Sequence, residues 1–155
     1  MRHNVSGFKL KRDVSARRAL LRNLVTSVIL EERVVTTVTK AKAAKPIVER
    51  IITLAKREGT SADRLHRRRQ AASYLMTPAS VQKLFDKIGP RFTARNGGYT
   101  RIVRVGVRKG DGSETAMLEL VGSELVRRAA DRAKRREEKL KAQQEGGEAG
   151  DQPKS

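Results

Sequence analysis

The chain has 155 residues, a length that fits one domain with a short appendage. Lysine and arginine number 35 against 17 acids, a net charge of +18, so the folded chain repels itself and a polyanion relieves the repulsion; nucleic acid is the leading partner and an anionic membrane surface the weaker one. The absence of cysteine excludes disulfides, thiolate metal sites and cysteine nucleophiles, and aromatics at 3 % leave a modest, mostly aliphatic core.

The opening residues, MRHNVSGFKLKR, lack the apolar stretch of a secretory signal. Nowhere does the chain hold the roughly 20 consecutive apolar residues of a membrane span, so a cytoplasmic protein is expected. Residues 1–14 are basic and aperiodic. They read as an arm that orders on RNA or as a frayed terminus, and the cations Arg2, Lys9, Lys11, Arg12 and Arg17 favour the arm.

Ser15 can cap a helix running to about Glu32, with Leu20, Leu21, Leu24, Val25, Val28 and Ile29 as its apolar stripe and Arg18 and Arg22 beside it. VVTTVT, 34–39, is β-branched and reads as a short strand. Helical spacing returns over 40–58, where Pro46 either kinks the helix or marks its start; one helix with an irregular first turn is expected. Gly59 ends it, and Ser61 caps the next helix, whose run Arg67-Arg68-Arg69 is either a solvated face or a phosphate contact. Thr77-Pro78 starts a further helix and Gly89-Pro90 stops it. YTRIVRVGVR then alternates, predicting a strand with Val103, Val105 and Val107 inside and Arg104 and Arg108 outside. KGDGSE turns the chain into a return strand, 115–121, whose Ala116, Leu118 and Leu120 match the valine face. Beyond Gly122 the sequence is helix-prone without an apolar stripe, then polar and glycine-rich, an extension expected to be helical and then disordered. Residues 1–121 hold 26 bases and 10 acids, a surplus of 16, so almost all the excess charge belongs to the globular part.

The segment GPRFTARNGGYTR, 89–101, fits no simple helix or strand. Gly97 and Gly98 allow the main chain to approach a ligand closely, Arg91, Arg95 and Arg101 offer forks for phosphate oxygens, and Tyr99 offers a flat face to a base or sugar. An ordinary connector with Phe92 and Tyr99 in the core is the competing reading. The phosphate-loop pattern GxxxxGK[ST] is missing, as are GxSxG, HExxH and any recognisable pair of catalytic carboxylates, so no enzyme and no cofactor are expected. The two histidines, His3 and His66, lie far apart in sequence, so no metal site is expected.

Met1-Arg2-His3, Thr36-Thr37, Lys40-Ala41-Lys42, Ile52-Thr53-Leu54-Ala55-Lys56 and above all Leu84 through Ile102 resemble the protein-seventeen family of the bacterial large ribosomal subunit. The resemblance runs in order from residue 1 to about 121. It implies an α+β fold, with about four helices packed on a small mixed sheet of about three strands. It implies a non-catalytic role on large-subunit ribosomal RNA, on the solvent side near the exit of the nascent-chain tunnel, beside proteins that include protein thirty-two of that subunit. RNA contact is implied for the arm (Arg2, His3, Lys9, Lys11, Arg12), the first helix (Arg17, Arg18, Arg22) and the loop (Arg91, Arg95, Asn96, Gly97, Gly98, Tyr99, Arg101). The expected organisation is an arm over 1–14, an RNA-binding domain over 15–121 and an extension over 122–155. A DNA-binding regulator or nucleoid-type basic protein is the alternative, and an RNA-processing enzyme a more distant one.

Overall fold

A computed structural model describes residues 7–57 and 59–122. The expected extension, apart from Gly122, lies outside them, as do Arg2 and His3 of the arm. Helix α1 spans Val14–Glu31 and buries Val25, Thr26, Val28 and Ile29. Ser15 does not cap it. Asp13 holds the N-cap position, and the Ser15 hydroxyl donates to its carboxylate at 2.7 Å. Buried Thr26 is satisfied twice: its hydroxyl donates to the Arg22 carbonyl at 2.8 Å and accepts the Met76 amide at 3.2 Å.

Glu32 ends α1 in the left-handed region at φ 61° and feeds strand β1, Arg33–Thr37. The strand is shorter than its β-branched run because Val38 already belongs to α2, Val38–Lys56. Helix α2 passes through Pro46 without breaking. The ring lies on the exposed side, where water can bond the carbonyl that loses its amide partner. This helix organises the fold, touching α1, all three strands and several of the later helical segments. Ala41, Ala44, Val48 and Ile52 are fully buried there. Burial of each Val or Ile contributes about 1.5–3 kcal/mol.

Helix α3, Ser61–Tyr74, is capped one residue earlier than its serine suggests, by Thr60, which exchanges hydrogen bonds with Asp63 in a capping box. Pro78 opens α4, Pro78–Lys83, but the Thr77 side chain makes no cap bond. The helix then widens into a π turn, Leu84–Ile88, closed by the Gly89 amide on the Leu84 carbonyl. The turn buries Leu84, Phe85 and Ile88 together. Gly89-Pro90 does not stop the helix, which continues as α5, Gly89–Arg91. A Cβ on Gly89 would lie 3.2 Å from the Ala55 carbonyl oxygen and 3.3 Å from that of Leu84, so this glycine lets α2 and the π turn approach.

Strands β2, Thr100–Val107, and β3, Glu114–Leu120, complete a sheet of order β1-β3-β2. Both pairings are antiparallel, so the α+β expectation holds with an antiparallel sheet in place of a mixed one. Ala116, Leu118 and Leu120 face the core as expected. The valines do not. Leu118 and Leu120 sit opposite Ile102 and Thr100, which places Val103 across from Met117 and Val35 on the outer face. A bulge between Arg104 and Gly106 shifts the register further on, and Val105 and Val107 are 59 % and 67 % exposed.

Candidate nucleic-acid interface

The loop after α5 is closed at its base by two rings. Phe92 and Tyr99 pack with centroids 5.1 Å apart at 54°, and Tyr99 is only 2 % exposed. Its face is therefore closed to a stacking base, and the platform expected of it gives way to a place in the core. Between the rings, Arg95 and Asn96 stand exposed at the tip. Gly97 and Gly98 adopt φ 116° and 61°, conformations that L side chains rarely take, in open space with no atom near a would-be Cβ.

The arginines of this loop have diverged in role. Arg91 donates to the Glu32 carboxylate at 2.8 Å and lies 5.0 Å from the Phe92 ring centre. Lys83 reaches the same carboxylate at 3.3 Å. Burial, the largest single influence on Glu32, pushes its pKa up, but the bonds and charges of Arg91 and Lys83 together outweigh it and hold the carboxyl below its ordinary value. Arg101 donates from Nε to buried Glu119 at 2.8 Å, while more than half of its side chain stays exposed. Of the three, Arg95 is exposed and takes part in no ion pair among the described residues, whereas Arg91 is an internal tie.

The expected contacts on α1 divide in the same way. Arg22 donates to the carbonyls of Tyr74 and Ser73 at 2.7 and 2.9 Å, pinning α1 to the end of α3. Arg18 is exposed and Arg17 half-buried. Ahead of the helix, the Arg12 amide bonds the Lys9 carbonyl across a turn whose central residues, Leu10 and Lys11, both have positive φ. That turn sets Lys9, Lys11 and Arg12 out into solvent.

Three cations outside the expected set gather elsewhere with Arg67, which the sequence left open as a phosphate contact. Lys56 and Arg57 at the end of α2 line one cleft with Arg64 and Arg67 of α3. The Lys56 ammonium donates to the Arg95 carbonyl at 2.7 Å and to Asn96 Oδ1 at 3.2 Å, joining this cleft to the loop tip. The i, i+3 spacing of Arg64 and Arg67 was the available signal in the sequence. Arg68 is taken up by Asp86 at 2.7 Å and by the Phe85 ring. Among the described residues no group of acids, histidines or cysteines could hold a metal ion, and no helix is long and apolar enough to cross a membrane.

The family profile described as Ribosomal protein L17 matches residues 20–121. The chain is 70 % identical over 146 residues to the large ribosomal subunit protein bL17 of Solibacter usitatus, covering 94 % of each chain. The chain belongs to the ribosomal protein L17 family. A second relative, the large ribosomal subunit protein bL17 of Koribacter versatilis, is 57 % identical over 148 residues, 92 % of this chain and 89 % of that one. The bL17 of Symbiobacterium thermophilum is 54 % identical over 113 residues, 96 % of its own length but 73 % of this chain. The L17 profile ends at the residue that follows β3, and the Solibacter match is too long to end there.

Proposed function

We infer that this chain is a structural constituent of the large ribosomal subunit, where it binds ribosomal RNA and supports subunit assembly and translation. Membership of the L17 family carries the reading, and the charge distribution accords with it. It is not an enzyme, and its place is the bacterial cytoplasm, on the subunit. Its RNA contacts are the arm with Arg2, His3, Lys9, Lys11 and Arg12, the exposed side of α1 at Arg17 and Arg18, and the loop tip with Arg95, Asn96, Gly97 and Gly98. Arg101 reaches RNA from the sheet edge while keeping its bond to Glu119.

The spread of these cations over a turn, a helix and a loop suits a protein wedged among folded RNA helices. A DNA-binding regulator would concentrate them on one recognition helix. The seat on the solvent side near the tunnel exit, with protein thirty-two of the subunit as a neighbour, follows from the family resemblance. The outer face of the sheet, where Val35, Met117 and Val103 form an apolar row, is the surface suited to a protein neighbour, because phosphates gain nothing there.

Binding of the purified protein to large-subunit ribosomal RNA across a salt series tests the reading. With about six phosphates neutralised, affinity falls by roughly three orders of magnitude between about 50 and 200 mM salt. A log–log slope near zero would exclude charge neutralisation as the basis of binding.

A further inference from the structure

Helix α3 is thinly attached. Ala71 is its one buried residue, Leu65 is half exposed, and the first turn is held by the Thr60–Asp63 capping box in place of packing. Between that first half of α3, the end of α2 and the start of α5 lies a cleft of about 310 Å³. Lys56, Arg57, Arg64 and Arg67 line it, with Gly89 and Pro90 of α5 among its apolar residues, and among the described residues of its lining there is no acid. Asp63, the acid closest to it on α3, has its carboxylate engaged by the Thr60 amide at 3.1 Å and hydroxyl at 2.8 Å. Neither Arg57 nor Arg64 takes part in an ion pair among the described residues.

The cations around this cleft, Arg57 and Arg64 foremost, are placed to be neutralised by an anion. The cations come from two helices that face each other across the cleft, and Lys56 continues the charged surface to the loop tip through Arg95 and Asn96. A free phosphate would use only part of that length. A sugar–phosphate chain suits all of it, with phosphates on the four cations and riboses on the apolar wall of Phe85, Gly89 and Pro90.

We propose that this cleft between α2, α3 and α5 seats a run of RNA backbone, continuous with the RNA held at the loop tip. The inference rests on the RNA-binding reading above and adds a contact region, the α2–α3 junction, to the arm, α1 and the loop.

Filter binding of the full-length protein to large-subunit ribosomal RNA, across a salt series, tests it with the double variant Arg57→Gln/Arg64→Gln. Both side chains are exposed, so the thermal melt is expected to stay at the wild-type value. Loss of two phosphate contacts should reduce the log–log salt slope by about 1.5 and weaken low-salt binding by about tenfold or more. The variant Arg57→Lys/Arg64→Lys keeps both charges and should keep the wild-type slope. Wild-type slope and affinity in the Gln variant would overturn the proposal while leaving the RNA-binding reading intact. So would a folded Lys variant that loses as much slope as the Gln variant. Failure of the wild-type protein itself to bind would remove both.

Discussion

The Lys56 ammonium donates to the Arg95 carbonyl at 2.7 Å, across 39 residues of sequence. The same nitrogen reaches Asn96 Oδ1 and stands 5.6 Å from the centre of the Tyr99 ring. The loop tip is thus fastened to the end of α2 by one cation at its mouth, while Phe92 and Tyr99 seal its base.

Replacement of that cation tests the fastening. Lys56→Met keeps the aliphatic stem and removes the charged donor. The bond is exposed, so the expected loss is about 0.5–1 kcal/mol, a fall in melting temperature of about 2–4 °C. Amide exchange should quicken over residues 94–98. Unchanged exchange there would mean that the loop holds its own shape.

Arg95 and Arg101 should separate cleanly. Arg95→Ala removes an exposed guanidinium, so it is expected to weaken RNA binding with little change in melting temperature. Arg101→Ala leaves buried Glu119 without its partner, and after discounting for the exposed side of the pair it should cost about 1–2 kcal/mol. Equal stability of the two variants by urea unfolding would contradict the internal role given to Arg101.

Tyr99 and Arg91, in the same segment, show where local pattern stops deciding a residue's place. Apolar spacing locates Val25, Val28 and Ile29 on the inner side of α1, and alternation locates Ala116, Leu118 and Leu120, because both patterns are local. The flat platform expected of Tyr99 and the free fork expected of Arg91 fail for non-local reasons. Tyr99 packs on Phe92 over α2, and Glu32, which takes Arg91, lies 59 residues away. The valine face fails through register. The pairing with Leu118 and Leu120 decides which side of β2 is buried, and period-two alternation alone offers Thr100 and Ile102 as readily as Val103 and Val105. The cleft cations were visible as charges, but what gathers them is the packing of α3 beside α2.

The Glu32 carboxylate makes stability depend on acid. Its folded pKa lies below the ordinary value of 4.5, so its contribution is complete above that value and is lost as pH falls through the lower folded one. The difference in melting temperature between wild type and Glu32→Gln should therefore be largest near about pH 6 and shrink toward about pH 3. A difference that stays constant over that range would show that Arg91 and Lys83 do not depend on the ionised carboxylate.

Gly89→Ala weighs two effects against each other. Alanine gains about 1 kcal/mol of helix propensity. Its Cβ, however, must press within 3.2 Å of the Ala55 carbonyl oxygen and 3.3 Å of Leu84's, and backbone atoms in packed helices yield poorly. The strain is expected to win, with a net loss of about 1 kcal/mol in urea unfolding. A stabilised variant would show that α2 and the π turn can part at little cost.

Gly97→Val isolates backbone conformation. Nothing lies within 4 Å of the new Cβ, so the cost comes from φ 116° alone, about 1–3 kcal/mol, or from a loop that shifts to avoid it. Loss of both stability and RNA affinity is expected, whereas Arg95→Ala should lose affinity only. Wild-type binding by the Gly97→Val variant would mean that the main chain at this position does not approach RNA.

Sedimentation of a cell extract through a sucrose gradient, with immunodetection of the full-length chain, tests the ribosomal assignment most directly. The protein is expected to travel with the large subunit at near-physiological salt and to be released progressively as the salt is raised. A protein found only in the soluble fractions, with none on particles even at low salt, would contradict it.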